Sequence, residues 1–210
     1  MVYPAASRFF YPRHGGEIDC VRRRYGIPEG PYILSVATLE PRKNLSHLIK
    51  CFLSVIQQEK ISDLNLVLVG VKGWKYSDFF QRIRRSGDLR NRIILTGFVP
   101  DEDMAPLYSG ALCFVFPSLY EGFGFPILEA MKCGTPVITS NVSSLPEVVG
   151  NGGIMVAPSD SDALCQAMIS LWRDEELRRH YSTKALARAG FFSWDKSVRE
   201  ILNLYRQSLP

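Results

Sequence analysis

The decapeptide EGFGFPILEA, residues 121–130, sets two carboxylates around a double-glycine turn where an apolar run gives way to a helical pattern. Seven residues separate Glu121 from Glu129. Gly122 and Gly124 admit backbone geometries closed to other residues and let a ligand approach the main chain. Pro126 suits the first turn of a helix that runs on through ILEAMK. A helix start with unpaired N–H donors carries about half a positive charge, so a phosphate fits between Glu121 and Glu129.

Two further segments carry candidate chemistry. TLEPRKN, residues 38–44, places Glu40, Arg42 and Lys43 just after an apolar run. Adjacent cations there suit a diphosphate, because arginine offers a planar donor fork and lysine a point charge. The same residues equally suit a plain helix start with Asn44 as N-cap. GFVPDEDM, residues 97–104, turns at Pro100 and reads as a βα turn with Asp101 as N-cap.

These segments need a scaffold, and the pattern supplies one. From Pro31 onward short β-rich apolar runs alternate with longer helical stretches, the signature of βαβ units. Strands are expected at 32–38, 64–70, 92–97, 111–116, 135–140 and 153–158. Helices are expected at 45–59, 76–86, 102–110, 125–133 and 144–149. From Asp160 to about Leu209 the pattern is nearly all helical, with a break at 190–193. The expected class is α/β, a Rossmann-like doubly wound parallel sheet of about six strands with a helical C-terminal end. Ligands of such sheets sit at the carboxyl ends of the strands, so the loops at 38–44, 70–74, 97–101, 117–125 and 140–144 share one rim. Residues 1–30 are rich in Pro, aromatic and turn signals without strand or helix period, and read as a linker entering a domain at 31–210.

Composition narrows the class. With 46% hydrophobic and 22% charged residues the chain reads as globular, neither disordered nor fibrous. The net charge of +4 is mild, and the basic runs at 22–24 and 82–85 lack the interleaved aromatics of a nucleic-acid platform. Five scattered cysteines without a CxxC pair argue against a disulfide framework or a zinc site. Asp160 and Asp162 have Asp-x-Asp spacing but open a helical segment, where capping explains them. No stretch reaches the roughly 18 apolar residues of a membrane helix. The expected location is the cytoplasm, with peripheral contact at the inner membrane face compatible with it.

Together VATLEPRKNL, LVGVKGW, ILTGFVPDEDMAPLY, FPSLYEGFGFPILEAMKCGTPVITSNVSSLPEVVGNGG and FSWDKS resemble the C-terminal domain of the retaining group 1 (family 4) glycosyltransferases of the GT-B fold. The resemblance covers about residues 30 to 205, and VYPAASRFF resembles the hinge peptide between the two GT-B domains. It implies that Glu121 contacts the donor sugar, while the backbone of Gly122, Phe123, Gly124 and Phe125 lies against the sugar and diphosphate. It assigns Glu129 to the ribose hydroxyls and Lys43 to the diphosphate. A well-placed donor in a closed site is worth about 3–4 kcal/mol of charge stabilisation. Phe98 and Val99 would hold the base, with Leu107 nearby. The family commonly has Gly-Arg where this chain has Ala37 and Thr38, and Arg42 is the candidate substitute for that arginine.

The TLEPRKN version resembles a subset that includes mannosyltransferases, which favours a GDP-linked hexose, GDP-mannose. The resemblance implies no metal or other cofactor, only the nucleotide-sugar donor. It also implies a glycan or lipid-linked acceptor, held by a missing N-terminal domain or a partner chain, so this chain alone is expected to be inactive. Retention by a carboxylate pair about 5 Å apart is one route, but Glu121 and Glu129 are assigned to sugar and ribose, and front-face displacement follows. Alternatives are an epimerase of GT-B architecture and a non-catalytic nucleotide-sugar binding module. A dinucleotide oxidoreductase is disfavoured, since no GxGxxG follows the first strand.

Overall fold

The computed structural model describes residues 2–71, 73, 83 and 87–208. Six strands form one sheet: β1 (Tyr32–Val36), β2 (Asn65–Val69), β3 (Ile93–Gly97), β4 (Cys113–Phe116), β5 (Val137–Ser140) and β6 (Gly153–Val156). Their order is β3-β2-β1-β4-β5-β6 and every pairing is parallel. The expected class is therefore the observed one. Each strand is shorter than its apolar run: β1, β2 and β6 stop early where the chain turns into the rim loops, while β3, β4 and β5 start one or two residues late. Pairing β1 with β2 runs from Tyr32↔Asn65 to Val36↔Val69, while β2 and β3 shift register between Leu68 and Val69.

Alternation along the strands builds two cores. Tyr32, Leu34, Val67, Val69, Phe114 and Phe116 point to one face, and Ile33, Leu66, Leu68, Cys113 and Val115 to the other. A strand buried on both sides must be apolar throughout, which is why these runs read as continuous rather than alternating. The first face is covered by α3 (Asp101–Ser109), α4 (Phe125–Lys132), α5 (Leu145–Val149) and α7 (Glu175–Ala189). The second is covered by α2 (Leu45–Gln58) and α6 (Ser161–Arg173). A last helix, α8 (Trp194–Ser208), leaves the sheet layer with Ser197 as its buried residue.

The segment read as a linker is more structured than expected. It contains α1 (Gly16–Arg24), and Ala5, Ala6, Phe10, Val21 and Ile27 join the first core. The helix escaped the sequence reading because it buries one residue, Val21, and so has little apolar period to show. Its place is fixed by polar contacts instead: Arg24 and Tyr25 both bind the Asp103 carboxylate of α3.

The C-terminal stretch divides at Asp174 as well as at the expected break, since the Asp174 side chain accepts from Leu177 N at 2.9 Å and starts α7. Asp160 caps α6 in the same way, accepting from Ala163 N at 2.9 Å. Asp101 does not cap: it is the first residue of α3, and Pro100 occupies the N-cap. The helix expected at 76–86 and the basic run at 82–85 lie, except for Ile83, outside the described residues. Among the described residues no helix is long and apolar enough to cross a membrane.

Candidate nucleotide-sugar site

Strand order reverses between β1 and β4, so the loops after these two strands flank a crevice at the carboxyl edge of the sheet, where open α/β sheets bind ligands. A three-residue 3-10 turn, Pro41–Lys43, follows β1 and aims its cations across that crevice. Lys43 Nζ donates to Glu121 Oε1 at 2.6 Å, and Arg42 Nη1 lies 3.0 Å from Glu121 Oε2. Arg42 also donates to the Tyr120 carbonyl and to Glu40 Oε1, each at 2.7 Å. Burial acts to raise the Glu121 carboxyl, yet opposing causes, among them the bond and charge of Lys43 and the bond of Arg42, outweigh it and hold the group below the ordinary carboxylate value. Glu121 is thus an ionised, doubly braced carboxylate.

Asn44 stands at the N-cap of α2 in the left-handed region, φ 57°, but its side chain caps nothing. Its Nδ2 donates instead to the carbonyls of Pro117 at 3.1 Å and Pro158 at 2.8 Å, tying the loops after β1, β4 and β6 together.

The 121–124 turn is held from the loop after β5. Ser143 Oγ accepts from Glu121 N at 3.0 Å, and Ser144 Oγ bridges the carbonyls of Glu121 at 2.9 Å and Phe123 at 3.0 Å. Gly122 is exposed. Gly124 is the N-cap of α4 at φ 106°, where a side chain would be strained and its Cβ would stand 3.0 Å from Leu145. Phe123 packs on Phe125 and Phe192, with ring centroids 5.1 and 5.9 Å away.

Beside the Lys43–Glu121 pair an open pocket of about 370 Å3 is lined by Thr38, Lys43, Phe98, Val99, Asp101 and Glu129, among others. Its floor depends on Gly70. There φ is 147°, and an added Cβ would fall 1.9 Å from the Ala37 carbonyl oxygen, so the loops after β1 and β2 close on each other only because residue 70 has no side chain. Gly70 N donates to the Gly97 carbonyl at 2.9 Å, tying in the loop after β3 as well. Phe98 is 74% exposed.

Glu129, one turn into α4, accepts from the Tyr108 hydroxyl at 3.0 Å. Burial is the main cause that pushes its carboxyl above the ordinary value; the Tyr108 bond works against that rise and the charge of Asp101 adds to it.

Of the residues singled out by sequence, Lys43, Thr38, Phe98, Val99 and Glu129 line one pocket. Glu121 and Arg42 stand beside it, joined to Lys43. Leu107 is fully buried, and its carbonyl accepts from the Tyr32 hydroxyl at 2.7 Å, so it belongs to the core. Sequence reasoning missed Tyr108, Ser143, Ser144 and Gly70. Ser143 and Ser144 lie in the loop after β5, which the topology already placed on the rim; Tyr108 sits in a helix whose apolar pattern hides its hydroxyl.

Residues 18–188 match the family model "Glycosyl transferases group 1". The chain belongs to the group 1 glycosyl transferases. It is 39% identical over 202 residues to O-antigen chain mannosyltransferase B of Escherichia coli, a match covering 96% of this chain and 52% of that protein. It is 38% identical over 178 residues to the serotype-specific mannosyltransferase WbdA of Escherichia coli, covering 84% of this chain and 22% of WbdA. The chain thus spans about half or less of the length of these relatives. Its fold is that of Anabaena HepE, solved in complex with UDP-glucose, with a TM-score of 0.86 at 24% identity over 99% of this chain and 57% of that one.

Proposed function

We propose that this chain is the donor-binding half of a retaining hexosyltransferase, and that its donor is GDP-mannose. The observation that carries the reading is the pairing of Lys43 with Glu121 across the β1/β4 crevice, beside a pocket wide enough for a nucleoside. A diphosphate arriving there meets Lys43, the α4 start at Gly124 and the N–H groups of the turn, all of which favour negative charge. The sugar then lies against Glu121, the ribose against Glu129 and the base against Phe98 and Val99.

Glu121 is held by two cations and has a lowered proton affinity. That makes it a poor proton acceptor at neutral pH and a good acceptor of hydrogen bonds from sugar hydroxyls. In the proposed reaction the acceptor oxygen bonds to the anomeric carbon on the face from which the diphosphate leaves. The acceptor's proton passes to the departing phosphate oxygen, and Lys43 stabilises the charge that develops there. Arg42 braces Glu121 and Glu40 rather than facing the pocket. The donor needs no divalent cation in this reading, because Lys43 and the α4 start supply the positive charge. The hinge role of residues 1–30 and the attachment of an acceptor-binding domain belong to the same proposal.

The mannose assignment draws support from the two named mannosyltransferases at 38–39% identity. A thermal-shift panel of GDP-, UDP-, ADP- and dTDP-sugars tests it, because a ligand that binds only the folded chain raises its melting point by mass action. GDP-mannose is expected to give the largest rise; a larger rise with UDP-glucose would overturn the choice of donor. The chain alone is expected to transfer no sugar, and turnover by the purified chain would refute that.

A further inference from the structure

The hydroxyl of Tyr108 is a polar group set inside the core with one side-chain partner, and that partner reaches the pocket. Tyr108 is fully buried on α3. Its ring stands edge-to-face against Phe114 at 5.3 Å and Phe10 at 6.0 Å, and its carbonyl accepts from Thr135 Oγ1 at 2.7 Å. Packed on two aromatic rings and anchored at its backbone, the ring is closely confined. The hydroxyl therefore sits at a fixed point, donating to Glu129 Oε2 at 3.0 Å. Among the described residues Tyr108 is the hydrogen-bond partner of Glu129, whose side chain also lines the pocket.

We propose that Tyr108 is a positioning residue for donor binding: from its locked place in the core its hydroxyl holds Glu129 ionised and oriented toward the pocket. The proposal rests on the reading of Glu129 as the acceptor of the ligand's ribose hydroxyls. A carboxylate accepts from two hydroxyls, whereas a protonated carboxyl has lost part of that capacity. The groups facing Glu129 make the balance narrow. Asp101 at the start of α3 disfavours the ionised form, as does burial. The Cys133 thiol, just beyond α4, is itself pushed up to about 12, chiefly by burial, and stays neutral. Lys43 lies across the same pocket but is bonded to Glu121. Tyr108 is the neighbour that favours the ionised carboxylate, and burial with the charge of Glu129 keeps its own hydroxyl protonated as a donor.

The test compares wild type with Tyr108→Phe, which keeps the ring and removes the oxygen. The Glu129 carboxyl is followed by carbon NMR in the ligand-free chain, and GDP affinity is measured by calorimetry from about pH 8.5 down through the two midpoints so found. The Glu129 midpoint is expected to lie higher in the variant. The ratio of variant to wild-type Kd is expected to stay near one well above the two midpoints and to grow as pH falls through them, reaching about tenfold below both if they lie a full pH step apart. In a Glu129→Gln background the same substitution is expected to leave Kd unchanged at every pH. Equal midpoints, or a ratio constant across pH, would overturn the proposal, because a hydroxyl that merely supported the core would weaken binding alike at all pH values. If wild type binds no nucleotide, the proposed function falls and the two midpoints alone decide the role of Tyr108.

Discussion

Lys43 and Glu121 lie 78 residues apart and meet at 2.6 Å, Nζ to Oε1, joining the loop after β1 to the loop after β4 at the point where the strand order reverses. Both side chains are largely withdrawn from solvent, 13% and 10% exposed, so Lys43 has its counter-charge in Glu121. Arg42 adds a second cation to the same carboxylate.

Replacing Lys43 by Ala removes the point charge that faces the pocket and leaves Arg42 as the partner of Glu121. GDP affinity is expected to fall by about 10- to 100-fold, the worth of one charge-assisted bond. Calorimetry at fixed ionic strength checks this, and the fold is expected to persist because Arg42 still neutralises Glu121.

The two glutamates are expected to answer neutralisation with opposite signs. Glu121 has its folded-state proton affinity lowered, so its ionised form stabilises the fold at neutral pH, and that contribution is lost as pH falls through the folded value. Glu121→Gln should therefore lower the melting temperature at pH 7, with the difference closing on acidification. Glu129 has its affinity raised, chiefly by burial, so its ionised form opposes folding at neutral pH. Glu129→Gln should raise the melting temperature by about 2–4 °C at pH 8 while weakening nucleotide binding, and the gain should shrink as pH falls. Melting curves across pH for both variants check the signs.

Gly70→Ala places a methyl group 1.9 Å from the Ala37 carbonyl at φ 147°. The strands β1 and β2 must part at their carboxyl ends to admit it. A loss of more than about 3 kcal/mol in urea denaturation is expected, together with loss of the pocket floor.

Asn44→Ala removes both bonds to the Pro117 and Pro158 carbonyls while keeping the left-handed backbone, φ 57°. The expected destabilisation is about 1–3 kcal/mol, the range for leaving buried acceptors unmet. Denaturation compared with Asn44→Gly, which suits that backbone, separates the lost bonds from the strain.

Much of the fold was legible because its signals are local. Strands buried on both faces print continuous apolar runs, and the crossover rule then puts their loops on one rim, which is why Lys43, Glu121 and Glu129 could be placed together before any coordinates. What stayed hidden was set by contacts distant in sequence. The α1 helix is held by the Arg24 and Tyr25 bonds to Asp103 rather than by an apolar stripe. Asn44 has the sequence look of a cap, yet its amide serves loops 73 and 114 residues away. Leu107 was placed near the base by resemblance, but the helical period turns it into the core. Tyr108, its neighbour, carries the polar tip toward the site.

The central claim is that the pocket lined by the loops after β1, β2 and β3 and by the first turns of α4 holds a nucleoside diphosphate whose phosphates meet Lys43. Calorimetric titration of GDP into the wild-type chain, with Lys43→Ala alongside, tests it most directly. The account predicts saturable binding by wild type and a loss of about 10-fold or more in the variant. No binding of GDP, UDP or ADP at millimolar concentration, or equal affinity in the two chains, would contradict it.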